Sequence, residues 1–572
     1  MKKFLLGLFV GLLLAVLSGI VLIFSIARLG ERRPNIKDNS TLVLRLNGDI
    51  PEKPGIDVPI PFVEHAAPVT VRDTWSMLKS AAVDSRIKAI LLMPDGVSAG
   101  WGKLEEIRAD LVEFKKSGKP VYAFLRNPKT REYYLATAAD RVYMQPEDLL
   151  DVKGLRAELM YFRRTLDKIG VQVEVMHIGK YKDAGDMFTN TTASPETMEV
   201  MNSVLDTVYG NLLQTFGAAR KKSADEMHAI IDNGPFTAKQ ALAKGLVDEL
   251  RYEDQAFGEL ASKLGQQKIE KLSHREYLRS LPDSAGGRKK IAFLVGEGDI
   301  MRGSAEDRSI SDEGFTSTAF IRQVRKVADD NDVKGVIMRI DSPGGDAIAS
   351  DEILREVQLL SKKKPLVISM SDLAASGGYY VAMTGDPIIA HPLTYTGSIG
   401  IIFGKVNLRG LYDKVGITKD ILTRGKDADI DTDYRELDER GRQKLQESLQ
   451  EFYTGFVGKA AASRKKTYDQ LEPLAQGRVW MGSQAKANGL IDDLGGIDKA
   501  IELVKRKANI GRDEGIRLVS YPGKRSIFEQ FLKQPDESVV DSKVRELFGG
   551  LNYKLWMKGG IMRMMPYTIQ IQ

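Results

Sequence analysis

The chain has 572 residues, with 83 lysines and arginines against 77 aspartates and glutamates, a net charge of +6. A chain of this length divides into two to four domains, and so small a charge does not favour nucleic-acid binding. The absence of cysteine excludes disulfides, thiolate metal sites and a cysteine nucleophile. The five histidines have no metal-ligand spacing, so no metal site is predicted and a zinc hydrolase is not favoured.

Residues 4–27 form an uncharged apolar run, FLLGLFVGLLLAVLSGIVLIFSIA, with basic residues on both sides. The run is long enough to cross a bilayer and exceeds the apolar region of a typical signal peptide. We therefore expect an uncleaved single-pass membrane anchor, with a cleaved signal as the alternative. Because positive charge flanks both ends, the run does not fix the orientation of the chain.

The rest of the chain contains four pairs of similar segments in the same order. The pairs are 40–53 with 290–303, 86–96 with 332–345, 118–144 with 363–389, and 243–250 with 487–494. Each pair is separated by 244 to 250 residues, which indicates one duplicated unit. The predicted domains are an anchor and linker (1–37), an N-terminal repeat (38–285), a C-terminal repeat (286–520) and a C-terminal extension (521–572).

Each repeat alternates short β-rich runs with longer amphipathic stretches. In the second repeat, VKGVIMRI (333–340) and PLVISM (365–370) are typical of buried parallel strands. The stretch between them, 349–364, has helical spacing of its apolar residues, with acidic residues early and lysines late. This order predicts an α/β fold with a parallel sheet in each repeat, and catalytic residues in loops at the strand ends.

Two glycine-rich segments follow the predicted strands of the second repeat. The first is DSPGG (341–345), and the second is AASGGY (374–379), which places Ser376 at the start of a helical stretch. Backbone N–H groups of Gly377 and of Gly345 (or Gly344) would form a two-donor oxyanion hole beside the Ser376 hydroxyl. Each motif alone is typical of an ordinary turn or helix cap, but together they predict a serine nucleophile.

With these motifs the chain resembles the signal peptide peptidase A family in its long tandem form. The resemblance rests on the apolar N-terminus, the duplication, SPGG (342–345), AASGGYY (374–380), TGSIGI (396–401) and GKYKDAGDMF (179–188). It implies two tandem repeats with a fold related to Clp protease and crotonase-type enzymes. It also implies a serine protease that uses a Ser/Lys dyad without a cofactor.

The resemblance assigns Ser376 as the nucleophile and Lys182 as the base. It further implies that Ser398 positions the lysine. An ordinary lysine pKa near 10.4 must fall for this role; lowering it to near neutrality costs about 4 kcal/mol, which burial in an apolar pocket supplies. Lys426 occupies the corresponding position in the second repeat and is the alternative base. We favour Lys182 because its motif GKYKDA fits the family better.

The first repeat has lost the residues of a nucleophilic site. When Tyr133 and Tyr134 are aligned with the tyrosines of AASGGYY, Thr130 matches Ser376, while Arg131 and Glu132 replace the two glycines. The segment 94–96 (PDG) stands where SPGG is expected. We therefore predict that this repeat is hydrolytically silent and supplies Lys182 across the repeat interface.

The leading functional hypothesis is a peptidase that degrades cleaved signal peptides and other hydrophobic peptides. The resemblance further implies a homotetramer anchored in a bacterial inner membrane, with the body facing the periplasm. One alternative is an inactive membrane scaffold on the same fold, and another is an acyl-CoA enzyme with the same kind of oxyanion hole. As a further hypothesis, the apolar C-terminal tail would occupy a neighbouring active site like a product peptide.

Overall fold

The computed structural model describes residues 34–54, 68–281, 287–303, 315–523 and 560–565, together with the isolated positions 7, 11 and 18. The predicted anchor, 4–27, therefore lies almost wholly outside the described residues. Within the described part of the chain, no helix is both long and apolar enough to span a membrane.

The N-terminal half contains nine strands and ten helices among its described residues. In chain order they are β1 Ser40–Gly48, α1 Val71–Val83, β2 Ile87–Val97, α2 Trp101–Lys115, β3 Val121–Leu125, α3 Thr130–Ala136, β4 Arg141–Met144, β5 Leu149–Leu150, α4 Arg163–Ile169, β6 Gln172–Ile178, α5 Asp186–Thr189, α6 Pro195–Arg220, α7 Ala224–Ile231, β7 Phe236–Thr237, α8 Ala238–Ala243, β8 Glu249–Leu250, α9 Glu253–Lys263, β9 Glu270–Ser273 and α10 His274–Ser280.

The described residues of the C-terminal half repeat this alternation and add a short 3₁₀ turn, Glu472–Leu474. Its elements are β10 Lys289–Glu297, β11 Ile300–Met301, β12 Phe315–Thr316, α11 Ser317–Asp329, β13 Val333–Ser342, β14 Gly344–Asp346, α12 Ala347–Lys363, β15 Leu366–Ala375, α13 Gly377–Ala382, β16 Ile388–Ala390, β17 Tyr395–Gly397, β18 Ile401–Asn407, α14 Arg409–Val415, α15 Glu439–Ser463, α16 Tyr468–Leu471, β19 Val479–Met481, α17 Gly482–Asn488, β20 Asp493–Leu494, α18 Ile497–Lys507, β21 Ile516–Tyr521 and β22 Gly560–Met564.

Each half is built around its own mainly parallel sheet. The first sheet has the order β8-β4-β3-β2-β1-β9 and is parallel throughout. The second follows β19-β17-β15-β13-β10-β21, in which only the edge pair β17–β19 is antiparallel. The predicted strands at 333–340 and 365–370 lie at its centre, and their side chains are almost wholly buried. The predicted α/β fold with a parallel sheet in each repeat is confirmed.

Matching hydrogen bonds support the duplication at the level of single residues. The hydroxyl of Tyr133 donates to the carbonyl of Leu246, and that of Tyr379 donates to Leu490, both over 2.8 Å. Within each pair the acceptor lies 113 or 111 residues further along the chain than the tyrosine. Tyr133 and Tyr379 lie in the similar segments 118–144 and 363–389, so the two halves share side-chain hydrogen bonds as well as a sequence pattern.

A third sheet joins the two repeats. Its order is β12-β11-β14-β22-β18-β6, and strand β6 of the first repeat pairs antiparallel with β18 of the second, from Gln172 opposite Asn407 to Ile178 opposite Ile401. Strand β22, from the C-terminal extension, lies between β14 and β18. This sheet therefore brings the motif that follows β6 to the glycine-rich loops of the second repeat.

Candidate active site

Ser376 lies at the carboxyl end of β15 and directly before helix α13. Its backbone has φ 53° and ψ −113°, a conformation that residues other than glycine rarely adopt. The Ser376 N–H donates to the carbonyl of Gly397, and its own carbonyl accepts from Tyr380 N–H, both over 2.8 Å. The turn is thus held at both ends, which fixes the serine at the strand end where the sequence places it.

Lys182 follows β6 and enters the second repeat. The Tyr181 N–H donates to the carbonyl of Gln476 over 2.7 Å, which anchors the segment to that repeat. A Cβ on Gly477 would lie 2.6 Å from the Lys182 Cβ, and one on Gly400 would lie 3.0 Å from its Cδ. Glycines at these two positions therefore leave the channel through which the lysine side chain passes.

The Lys182 Nζ lies 2.8 Å from the Ser376 Oγ, and both side chains are fully buried. The same nitrogen lies 2.9 Å from both the carbonyl oxygen and the hydroxyl of Ser398. A neutral amine has two N–H donors and one lone pair. When the two Ser398 oxygens accept the N–H groups, the lone pair faces the Ser376 hydroxyl, as a general base requires.

Burial lowers the pKa of Lys182 well below its ordinary value because the charged ammonium loses its hydration. The nearby Asp183 carboxylate opposes this decrease, while the Arg563 guanidinium adds to it. Asp183 is itself buried, and burial raises its pKa to about 6. The balance favours a neutral lysine next to the serine.

The glycines of both motifs pack too closely to carry side chains. A Cβ on Gly344 would lie 2.6 Å from the Gly377 nitrogen, and one on Gly378 would lie 2.6 Å from the Ser342 carbonyl oxygen. Gly345 has φ 148°, and its Cβ would lie 2.1 Å from the Ile300 carbonyl oxygen. The structure therefore places Gly344 against the Gly377 nitrogen, directly after Ser376, and Gly345 next along the same loop.

The C-terminal strand β22 lies in the groove between the glycine loop and β18. Gly345 is opposite Arg563, and Met562 is opposite both Asp346 and Ile402. A Cβ on Gly344 would lie 2.0 Å from the Arg563 carbonyl oxygen, so this carbonyl approaches the Gly344–Gly377 junction closely. The hypothesis of a tail in an active site thus has a structural counterpart, here within one chain.

Lys426 is exposed and lines a small pocket with Lys405 and Glu436, whereas Lys182 contacts Ser376.

In the first repeat, the carboxylate of Glu132 accepts hydrogen bonds from Val97 N–H (2.6 Å) and Lys129 N–H (2.9 Å). The glutamate side chain therefore takes up backbone N–H groups of this turn at the position that Gly378 holds in the second repeat. Thr130, which matches Ser376, opens helix α3 there.

One detail of the expected first-repeat alignment is wrong. The segment 94–96 belongs to strand β2, which continues to Val97. Gly100 holds the N-cap position of helix α2, and Asp346 holds that of helix α12, so Ser98 and Ala99 are the positions that match the paired glycines of the second repeat. The sequence comparison missed this because the turn in the first repeat has no glycine pair to align.

The family model of peptidase family S49 matches residues 113–267 and 358–511. Among curated proteins, the chain is 37% identical to "Serine protease SPPA, chloroplastic" of Arabidopsis thaliana over 77% of this chain and 66% of that protein. It is 34% identical to "Protease 4" of Salmonella typhi over 76% of this chain and 72% of that protein. It is also 30% identical to "Protease 4" of Haemophilus influenzae, over 84% of this chain and 79% of that protein.

One solved structure in the comparison is a mutant of ClpP1 from Listeria monocytogenes, with 12% identity over 36% of this chain and 94% of that chain. Its TM-score of 0.23 is too low to establish a shared fold. The sequence matches define a serine peptidase built from two copies of one family unit. The chain belongs to peptidase family S49.

Proposed function

We propose that the chain is a membrane-anchored endopeptidase that uses Ser376 and Lys182 as a catalytic dyad to degrade cleaved signal peptides and other hydrophobic peptides. The observation that carries the proposal is the 2.8 Å contact between the Lys182 Nζ and the Ser376 Oγ, buried where the two repeats meet. A buried lysine without a carboxylate partner at the same distance is costly to keep charged, so a neutral base explains the arrangement.

In the proposed reaction, Ser376 Oγ attacks the peptide carbonyl carbon while Lys182 takes the hydroxyl proton. The Gly345 and Gly377 N–H groups stabilise the tetrahedral oxyanion; one such donor is worth about 3 kcal/mol in a hydrolase. Lys182 then returns the proton to the leaving amine as the C–N bond breaks. Water, deprotonated by the same lysine, hydrolyses the ester and restores the free serine.

Substrate binding is proposed to follow the path of strand β22. An extended peptide in that groove pairs with β14 and β18 through its main chain, while its side chains alternate between two faces. The faces that β22 covers include Ala184, Phe188 and Ile402, which supports apolar peptides as substrates.

The setting of the enzyme is part of the proposal. The apolar run 4–27 would anchor the chain in a bacterial inner membrane, with the body in the periplasm, and would hold the site close to the membrane from which signal peptides are released. A homotetramer would enclose the active sites. These statements rest on the sequence and on the resemblance to signal peptide peptidase A.

The test is hydrolysis of an internally quenched apolar peptide by the full chain in detergent micelles. We expect turnover by the unmodified chain and none by Ser376→Ala, with circular dichroism to verify that the variant is folded. Equal turnover by the two proteins would reject the peptidase dyad. No turnover by a folded unmodified chain would favour the inactive scaffold.

A further inference from the structure

Strand β22 shows how a peptide is presented to the glycine loop. The Met565 N–H donates to the Pro343 carbonyl over 2.8 Å, so these residues form a hydrogen-bonded pair of the antiparallel ladder. Because hydrogen-bonded and non-bonded pairs alternate, the next hydrogen-bonded pair is Gly345 with Arg563. The Gly345 N–H then faces the Arg563 carbonyl, which is the position expected for the carbonyl of a bond to be cut.

The residue before that bond therefore has its side chain in a defined pocket. Arg563 is only 3% exposed. Its guanidinium carbon lies 3.6 Å from the ring centroid of Tyr380 and 5.3 Å from that of Phe456. Its Nη1 donates to the carbonyl of Ala347 over 2.6 Å. Aromatic faces and a carbonyl acceptor are the groups that bind a guanidinium.

An acidic side chain completes the pocket behind Tyr380. The Tyr380 hydroxyl donates to Asp351 Oδ1 over 2.6 Å, and the Lys459 ammonium contacts both of these groups. The pKa of Asp351 falls below its ordinary value: hydrogen bonds from Lys459 and Tyr380 outweigh its burial, and the charges of Lys459 and Arg563 add to the decrease. The pocket therefore holds a carboxylate within electrostatic range of the guanidinium.

We propose that this pocket, formed by Tyr380, Phe456, Asp351 and the Ala347 carbonyl, is the P1 specificity pocket and takes an arginine side chain. The proposal rests on the proposed peptidase function and names its substrates: extended apolar peptides with an arginine before the cut. The neighbouring side chains Met562 and Met564 point to the other face and pack in a cluster with Ala184 and Phe188, so the flanking residues are apolar.

The charge of the bound arginine also reaches the catalytic base. The Arg563 guanidinium favours the neutral form of Lys182, in the same direction as burial. A substrate that brings this cation into the pocket would therefore help to activate the base that cuts it. Signal peptides place basic residues beside an apolar run, so the junction of these regions has the chemistry that the pocket selects.

The test uses four quenched peptides with the sequence of residues 560–565, Gly-Ile-Met-X-Met-Met, where X is arginine, citrulline, leucine or glutamate. Citrulline has the shape of arginine without its charge. With the full chain, we expect kcat/KM for arginine to exceed that for citrulline about tenfold, since a desolvated cation–aromatic contact is of that size. The intact tail competes equally with all four peptides, so the ratios are unaffected.

Faster hydrolysis of the leucine peptide than of the arginine peptide would overturn the pocket assignment while leaving the peptidase intact. Hydrolysis of none of the four would instead contradict the proposed function.

Pocket variants provide a second measurement through the same arginine-to-citrulline ratio, which does not depend on the fraction of folded enzyme. We expect Tyr380→Leu and Asp351→Asn to bring the ratio close to one, while Tyr380→Phe retains most of the preference because its ring remains. Asp413→Asn, an exposed aspartate on helix α14, is the matched control and leaves the ratio unchanged. An unchanged ratio in both Tyr380→Leu and Asp351→Asn would reject the assignment.

Discussion

In the proposed dyad, the protonation state of Lys182 decides whether Ser376 can react. In the structure the lysine Nζ contacts the serine and two oxygens of Ser398, and no carboxylate oxygen lies within 4.0 Å of it among the described ion pairs. Burial makes the neutral form the favoured one, and the base is then available at a pH where an exposed lysine would be charged.

The activity should therefore rise with pH until Lys182 is deprotonated and then level off. Because its pKa is lowered, this plateau is expected well below pH 10.4, the ordinary lysine value. The measurement is kcat/KM for a quenched peptide as a function of pH. A rate that keeps rising to pH 10 and beyond would contradict a buried neutral base.

Ser398→Ala tests how the lysine is oriented. The change removes one of the two acceptors of Lys182 and leaves the Ser398 carbonyl in place. The loss of one hydrogen bond is worth about 1 kcal/mol, so we expect kcat to fall about fivefold with little change in KM. Ser398→Thr, which keeps the hydroxyl, should recover much of the rate, whereas equal losses in both variants would indicate a purely structural role.

At the scale of elements, the site depends on the close approach of strand β14 to helix α13. Gly344 has φ 103°, and a Cβ there would enter the space of the Arg563 carbonyl oxygen and the Gly377 nitrogen. We expect Gly344→Ala to lower kcat/KM about 100-fold or more, because the peptide carbonyl loses its place at the oxyanion donors. Gly455→Ala, where a Cβ would meet nothing within 4 Å, is the control and should retain full activity.

Strand β22 occupies the groove proposed for the substrate, so weakening its pairing should increase activity towards added peptides. Met562 pairs on both sides, with Asp346 and with Ile402. Proline at this position lacks the N–H and disrupts the ladder. Met562→Pro is expected to lower KM for an added peptide severalfold, while Met562→Leu should behave like the unmodified chain. The same KM in the proline variant would show that the tail does not compete for the groove.

At the scale of the whole molecule, buried charges join the two repeats. Arg339 of the second repeat is fully buried and contacts Glu52 (2.8 Å) and Glu106 (2.5 Å) of the first. Beside them, Glu105 accepts hydrogen bonds from Leu393 N–H and from the Asn211 amide, over 2.8 and 3.1 Å. This interface holds the repeats in the orientation that brings Lys182 to Ser376.

The Glu105 carboxyl makes the stability of this interface depend on pH. Burial raises its pKa to about 7 from an ordinary 4.5, so the folded state binds a proton that the unfolded chain releases. The stabilisation is present below pH 4.5 and is lost as the pH rises through 7, a change of about 3 kcal/mol in the free energy of unfolding.

Glu105→Gln should remove that part of the pH dependence. We expect its free energy of unfolding to decrease less between pH 5 and pH 8 than that of the unmodified chain, as measured by urea denaturation. Glu451→Gln, at an exposed position, is the control and should follow the unmodified chain. If Glu105→Gln and the unmodified chain show the same pH dependence, the raised pKa of Glu105 does not contribute to stability.

Much of the fold could be predicted because its signals are local. The apolar runs at 333–340 and 365–370 form the expected central strands, and the helical stretch expected at 349–364 is helix α12, Ala347–Lys363. The meeting of Lys182 and Ser376 was predictable only through resemblance, since it depends on the pairing of β6 with β18 across the repeats. No local pattern specifies that pairing.

The pocket around Arg563 could not be found in the same way. Its residues come from helices α12, α13 and α15 and from the distant C-terminal strand, and an arginine in an apolar tail is typical of an exposed residue. The ion pairs of Arg339 could not be predicted from the sequence either, because there the residue only interrupts an otherwise apolar strand. Only the packing of the second repeat on the first supplies its two carboxylate partners.

The most direct test of the account compares Lys182→Ala with Lys426→Ala by kcat/KM on one quenched peptide, with folding verified for both. We expect Lys182→Ala to lose about 10²- to 10⁴-fold, the usual contribution of a general base, and Lys426→Ala to match the unmodified chain. The opposite result, an inactive Lys426→Ala beside an active Lys182→Ala, would contradict the dyad formed across the two repeats.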